Sequence, residues 1–498
     1  MKILFIHFGR EHLGIEYLSS MLKKEGHEVY LAHQHGLFSR EDNVLYSPVL
    51  ERLFARKDLI AEKIRQVEPG LVVFSVYTTT YQWALDSAKK IKDAFGLPIL
   101  FGGIHATLVP EEVIKQGSVD YLIRGEGEFA LSELVANLER GLSLSGIKNL
   151  WYKKNNAVFR NELREPISDL DSLPLPDKDL FKESVRYKDD YMIMTSRGCP
   201  YNCSYCCESY LNDIYKNRYF RRRSVGSVLD ELSMAKEKYG IREVMFFDSI
   251  FFTDKSWLRG LFKGYKEKIK LPFRCTGHTS CFDDETAGLI KDAGGYCIEF
   301  GIQTFNEKVR RDYLNRFETN LEIKNVFRIC DSLKIKYDID LMFGLPGMTE
   351  NDYKSALEFI NDCKWLNRLK CYYLTYYPRL SIVDKAVKTG ILDENDIADI
   401  VKGNIGNWFH FDSIKSQEHK KWKRNFTKIY KLYPIMPKFL RQAILKNDAH
   451  KYFFLVPNFI IVLFQLFIGL KNKDYRFKIY LNNYLHNFIK IFTLGRLK

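Results

Sequence analysis

Three cysteines spaced four and three residues apart, in Thr195-Ser196-Arg197-Gly198-Cys199-Pro200-Tyr201-Asn202-Cys203-Ser204-Tyr205-Cys206, are the residues of this sequence best placed to do chemistry. They follow an apolar strand, Tyr191-Met192-Ile193-Met194, so three thiolates on one loop can converge on a metal centre. Zinc usually takes four ligands in paired spacing, and no second Cys-x-x-Cys or Cys-x-x-His follows. Three thiolates suit a four-iron four-sulfur cluster whose fourth iron stays open to another ligand. Cys207 is adjacent to Cys206 and is predicted to point away, while Cys275, Cys281, Cys297, Cys330 and Cys363 read as small apolar fillers. All 10 cysteines lie between Cys199 and Cys371, which argues for chemistry mid-chain and against a disulfide framework.

The elements that position this loop follow from hydrophobic periodicity. At 498 residues the chain should hold two to four domains of roughly 100–200 residues each. Lys2 to Phe8 reads as a buried strand, Leu13 to Lys24 as a helix, and Val29-Tyr30-Leu31 as strand again. The rhythm repeats at 71–76, 81–95, 99–103 and 121–125, which predicts an α/β fold with a doubly wound parallel sheet. In such sheets ligands bind beyond the carboxyl ends of the strands. Those ends carry Ser75 with Thr78-Thr79-Thr80, Gly102-Gly103-Ile104-His105 and Gly125-Glu126-Gly127-Glu128, although each glycine pair taken singly is equally a tight turn. No Gly-x-Gly-x-x-Gly follows the first strand, which disfavours a nicotinamide or flavin dinucleotide. Residues 141–190 read as a connector, with a short hairpin around Asn155-Asn156 and a Pro-rich link from Asp169 to Asp177. From the cysteine strand on, five further strands alternate with helices, at 243–248, 273–276, 297–303, 337–347 and 370–375.

Ser75, the run Gly102 to Glu112, Asp120 and Gly125-Glu126-Gly127-Glu128 together resemble the cobalamin-binding domain fused to many radical S-adenosylmethionine enzymes. The order of strand, Cys-x-x-x-Cys-x-x-Cys and helix resembles the same family. The resemblance implies a cobalamin-binding domain over 1–140, a linker over 141–190 and a partial (β/α)6 barrel over 191–390. It also implies that Cys199, Cys203 and Cys206 hold a 4Fe-4S cluster. The open iron would bind the amino and carboxylate groups of S-adenosylmethionine, and electron transfer would yield a 5′-deoxyadenosyl radical. Cobalamin contacts carry over onto Ser75, Thr79, Gly102, Gly103, His105, Gly125 and Glu126. Cosubstrate contacts carry over onto Asp248, Glu299, Gln303 and Gly344. Relatives read Asp-Asp or Asp-Asn where Asp248-Ser249 stands, to grip the methionine amine, and an acid facing the ribose where Gln303 stands. The Asp-x-His-x-x-Gly that puts a histidine on cobalt elsewhere is replaced by Gly9-Arg10-Glu11-His12-Leu13-Gly14. His12 reads as a surface histidine, and cobalamin is expected without one on the metal. The implied activity is methylation of an unactivated carbon, with oxidative cyclisation or rearrangement as the alternative and a non-catalytic cobalamin sensor as a third reading. No single side chain is assigned a catalytic role. A reducing donor such as flavodoxin or ferredoxin is implied.

The formal charge of +14 is uneven, because Lys415 to Lys498 carries 18 Lys and Arg against 3 acidic residues. This helical 391–498 region interleaves aromatics with cations (Trp408, Phe409, Phe411, Trp422) and then runs 19 residues, Tyr452 to Leu470, without a charge. That barely reaches the roughly 20 residues of a membrane span, and Pro457-Asn458 interrupts it. Docking on an anionic membrane surface is the favoured reading, ahead of a full span or of a hairpin that only covers the barrel. An almost wholly apolar run has no role in reading phosphates, so no nucleic-acid partner is expected. Met1 leads into an apolar run too short for a signal peptide, which predicts a cytoplasmic protein, peripheral on the inner face of the cell membrane. Its substrate would be a small molecule or a lipid.

Overall fold

The computed structural model describes residues 1–36, 38–39, 47–54, 58–405, 417–471, 481–482, 485–486 and 488–489. Trp408, Phe409 and Phe411 lie outside the described residues.

The first sheet has seven strands: β1 (Lys2–Phe8), β2 (Glu28–Gln34), β3 (Leu71–Ser75), β4 (Ile99–Gly102), β5 (Tyr121–Ile123), β6 (Leu150–Lys154) and β7 (Ala157–Arg160). Their order is β2-β1-β3-β4-β5-β6-β7, parallel through β5 and antiparallel beyond it. Ile3 to Ile6 and Leu71 to Phe74 are buried on both faces, which is why these strands read as unbroken apolar runs. The order reverses between β1 and β3, and this opens a crevice at their carboxyl ends. The hairpin placed in a connector by sequence instead pairs with β5 and completes the sheet.

The second sheet is an open, all-parallel array of six strands. In spatial order these are β8 (Tyr191–Ile193), then β11 (Val244–Phe246), β12 (Phe273–Gly277), β13 (Gly295–Gln303), β14 (Lys336–Phe343) and β15 (Leu366–Tyr373). A short antiparallel ribbon, β9 (Ser196–Arg197) with β10 (Arg221–Arg222), flanks the cysteine loop. Polar caps fix where the outer helices begin: Ser224, Asp254, Asp283 and Asn306 each accept from the first helical turn, and Thr319 with Glu322 forms a reciprocal capping box.

The helix Gln417–Leu432 covers the β15 edge. Phe426, Ile429, Tyr430 and Tyr433 are buried there, and the Tyr430 and Tyr433 hydroxyls donate to the Tyr353 and Leu357 carbonyls at 2.6 and 2.9 Å. The apolar run beyond it is broken at Pro457 into a short turn, Ala449–Leu455, and the helix Asn458–Lys471, bent by 108°. Among the described residues no single helix is long and apolar enough to cross a membrane. The outer face of this layer leaves Phe439, Leu455, Phe467 and Leu470 exposed.

Candidate active site between the two sheets

A cavity of about 390 Å³ lies where the carboxyl ends of both sheets face each other. The first sheet contributes His12, Ser75, Gly102, Gly103 and Gly125 to Glu128; the second contributes Met192, Met194, Ser196, Arg197, Gly198, Phe247 and Ser249, with Glu208 from the helix Cys207–Ile214. Gly103 has φ +90°, and a β-carbon there would sit 2.7 Å from the Val76 amide nitrogen, so only glycine makes this turn. A β-carbon on Gly102 would meet nothing closer than the Ile123 carbonyl at 3.8 Å, so its open face belongs to the cavity and to any ligand there.

His12 is not a surface histidine. It caps the helix Leu13–Lys24, with Nδ1 accepting from the Ile15 amide at 3.2 Å, and its Nε2 lies 3.3 Å from the Ser75 hydroxyl. Burial pushes its pKa down to about 4, so the ring is neutral. With Nδ1 occupied as an acceptor, Nε2 carries the proton and points it at the Ser75 hydroxyl oxygen, so the ring presents no free lone pair.

Glu126 clasps the two halves together. Arg197 and Arg221 donate to it at 3.2 and 2.9 Å, Arg197 also reaches Glu128 at 2.6 Å, and the Ile167 amide adds a bond at 2.7 Å. Burial alone would raise the Glu126 carboxyl, but the two guanidiniums outweigh it and hold it below its usual range. Because Arg197 stands two residues before Cys199, this clasp also fixes the cysteine loop against the first domain.

Local contacts pin that loop. Gly198 has φ +85° and a β-carbon would lie 2.5 Å from the Tyr219 carbonyl; Asn212 Nδ2 donates to the Cys199 carbonyl at 2.8 Å, and the Ser204 amide to the Leu314 carbonyl at 3.0 Å. The three cysteines are free and partly accessible. Burial pushes the Cys199 thiol up to about 12 and raises Cys203 and Cys206 as well, so the free thiols stay protonated until a metal displaces the proton. Buried Arg316 opposes that rise at Cys203 and bonds Glu318 at 2.7 Å and the Tyr205 hydroxyl at 3.3 Å, a fixed cation suited to an anionic cluster. Among the described residues no three Cys, His, Asp or Glu side chains converge on one ion. A 4Fe-4S cluster would take each thiolate on a separate iron.

The remaining sequence-derived positions divide. Thr79 and His105 do not line the cavity: His105 is fully buried, 3.0 Å from the Thr78 hydroxyl and packed on Tyr81, and Tyr77 takes the cavity side of that turn. Asp248 is buried, its Oδ1 accepting from the Thr195 amide and hydroxyl, both at 3.0 Å, and from Ser196. Glu299 lies inside the barrel in an ion pair with Lys370, which also approaches Asp338 at 3.6 Å. Gln303 ends β13 with φ +68° and a buried Oε1 without a partner. The Gly344 amide donates to the Tyr353 hydroxyl at 3.3 Å in the turn after β14. Sequence reasoning missed Tyr77, Glu208 and Arg316 as site residues; a charged residue two positions past the last cysteine of the motif was the one signal for Glu208.

The family model described as the B12 binding domain matches residues 8–135, and that of the Radical SAM superfamily matches residues 193–360. An uncharacterized methyltransferase of Pyrococcus horikoshii is 27% identical over 387 residues, covering 76% of this chain and 79% of that protein. An anaerobic magnesium-protoporphyrin IX monomethyl ester cyclase of Cereibacter sphaeroides is 23% identical, covering 85% and 72%. The fold is similar to that of OxsB, a cobalamin-dependent S-adenosylmethionine radical enzyme solved with aqua-cobalamin and S-adenosylmethionine, at a TM-score of 0.66 and 15% identity over 100% of this chain and 80% of that one.

Proposed function

We propose that this chain, which belongs to the cobalamin-binding radical S-adenosylmethionine enzymes, methylates an unactivated carbon of a lipid-like or secondary-metabolite substrate. The observation that carries the reading is the single cavity onto which the Gly102-Gly103 strand end, Gly125 and the start of the cysteine loop at Gly198 all open. Cobalamin held there would supply a methyl carrier, and Cys199, Cys203 and Cys206 would hold a cluster able to supply an electron to S-adenosylmethionine. The chain's own residues do the rest. Gly102 and Gly103 let a large planar ligand approach the backbone, and the Arg197–Glu126–Arg221 clasp holds the two halves in register. Leu18, Val73, Leu100, Leu131 and Phe247 wall the cavity with apolar surface, which keeps water from a radical. A low-potential donor such as flavodoxin or ferredoxin would deliver the electron.

Methyl transfer is tested by feeding methionine with a deuterated methyl group to anaerobic cells that express the wild type or Cys199→Ala. A metabolite or lipid that gains the labelled methyl only with the wild type is the expected result. A product that instead loses two hydrogens would replace this reading by oxidative cyclisation; the Cereibacter relative is named a cyclase.

The C-terminal layer fits a cytoplasmic enzyme that rests on an anionic membrane and draws its substrate from it. Phe439, Leu455, Phe467 and Leu470 are more than half exposed in a segment with a large cation excess, and that combination suits the interface of lipid tails and headgroups. Full-length protein is expected to float with vesicles containing phosphatidylserine and to lose most of that binding in 0.5 M salt or with neutral vesicles. Protein that stays at the bottom of the gradient with anionic vesicles overturns the docking.

A further inference from the structure

The carboxylate of Glu208 is the least explained charge in the cavity wall. It sits in the first turn of the helix Cys207–Ile214, two residues past Cys206, and Oε1 accepts from the Ser249 hydroxyl at 3.1 Å. Its Oε2 is shut off from bulk solvent without a hydrogen-bond partner, and the nearby Arg221 guanidinium, which favours its charge, bonds Glu126 instead. Leaving a carboxylate oxygen buried and unsatisfied is costly unless a ligand completes it. Both Glu208 and Ser249 line the cavity beside the cysteine loop.

The acid in the corresponding strand end, Asp248, is differently placed. Its Oδ1 is spent on Thr195 and Ser196; its Oδ2 is buried without a hydrogen-bond partner, as Glu208 Oε2 is, but its charge faces the Arg222 guanidinium and it does not line the cavity. It reads as a brace between β8 and β11. Ser249 next to it is neutral and is the residue of this strand end that lines the cavity, so the strand end presents no carboxylate to it.

We propose that Glu208 Oε2, oriented by Ser249, accepts the N–H of the α-amino group of S-adenosylmethionine and so positions the methionine end of the cosubstrate at the open iron. This assignment rests on the radical S-adenosylmethionine reading. Glu208 is a cosubstrate-binding residue in it, and Asp248 is structural. A carboxylate from the helix thereby takes the task that a second strand-end acid would otherwise perform, and the serine hydroxyl becomes its orienting partner.

The test uses anaerobically reconstituted, cobalamin-loaded full-length protein, with labelled S-adenosylmethionine in equilibrium dialysis and the EPR spectrum of the reduced cluster as a second readout. Glu208→Gln is expected to keep its iron content and its spectrum without cosubstrate, to weaken binding at least tenfold, and to need correspondingly more cosubstrate to shift the cluster signal. Adding Ser249→Asp to Glu208→Gln should recover most of the affinity by returning a carboxylate to the same spot. Asp248→Asn should lower the melting temperature while its folded fraction binds with wild-type affinity. Wild-type affinity in Glu208→Gln, or a tenfold loss in folded Asp248→Asn with none in Glu208→Gln, overturns the assignment. A wild type that binds iron and cosubstrate while Glu208→Gln is unchanged sinks this inference alone; a wild type that binds neither sinks the parent reading as well.

Discussion

Cys203→Ala, reconstituted with iron and sulfide, is expected to lack the broad visible absorption of a cluster and to form 5′-deoxyadenosine below about 10⁻³ of the wild-type rate, a barrier increase of at least roughly 4 kcal/mol. The size follows from the ligand count: three thiolates hold three irons, and removing one leaves a corner without its protein ligand. The change should be nearly silent in the fold. The loop is held through Asn212 on the Cys199 carbonyl, Ser204 on the Leu314 carbonyl and Asn315 on the Asn202 carbonyl, none of which involves the Cys203 side chain. A melting temperature close to the wild type with the cluster gone is the expected pair of results. Cys207→Ala is the matched control: it too removes one thiol from this stretch, and it should keep both cluster and turnover. Cluster retention in Cys203→Ala, or its loss in Cys207→Ala, would reassign the ligands.

The strands and the cysteine loop were legible because their signals are local. A strand covered on both faces is an apolar run whatever lies around it, as in Ile3 to Ile6, and thiol spacing along a loop is written in the chain. What the sequence hid depends on partners far away in the chain. The hairpin around Asn155-Asn156 was readable as a hairpin, but its membership of the first sheet comes from pairing with Tyr121 to Ile123, some 30 residues earlier. His12 carries no mark of burial in its own neighbourhood; Ser75 and Tyr77, more than 60 residues on, enclose it. Glu126 stands among glycines at a strand end, where a ligand contact is the natural reading, yet Arg197 and Arg221 of the second domain claim it. Arg316 and Glu208 are ordinary surface residues by type, and only the packing of the barrel mouth buries Arg316, and Oε2 of Glu208, beside the cysteines. Ligand contacts at charged residues are thus the part of a site that spacing cannot supply, because each charge has two sets of suitors and the fold decides between them.

Adjacent glycines at the end of β4 separate the fold from the cofactor. Gly103 adopts φ +90° and ψ −172°, a region open almost only to glycine, and a β-carbon there would meet the Val76 amide nitrogen at 2.7 Å and the Val76 carbonyl oxygen at 2.9 Å. Those are backbone atoms at the end of a central strand, bonded to Gly102 and His105, and they cannot step aside without breaking the ladder. Gly103→Ala is therefore expected to cost about 2–4 kcal/mol of stability from backbone strain and overlap together. The strand ends that frame the cavity should splay, and cobalamin affinity should fall by roughly a hundredfold or more, since each 1.4 kcal/mol is tenfold. Gly102→Ala differs in one respect only. Its β-carbon meets no protein atom closer than 3.8 Å, so stability should hold. If a corrin lies against this strand end, that methyl projects into the ligand's space, and Gly102→Ala should lose cobalamin while melting with the wild type. Retained cobalamin affinity in a stable Gly102→Ala would move the corrin off β4 and leave the glycine pair as a turn made for the fold alone.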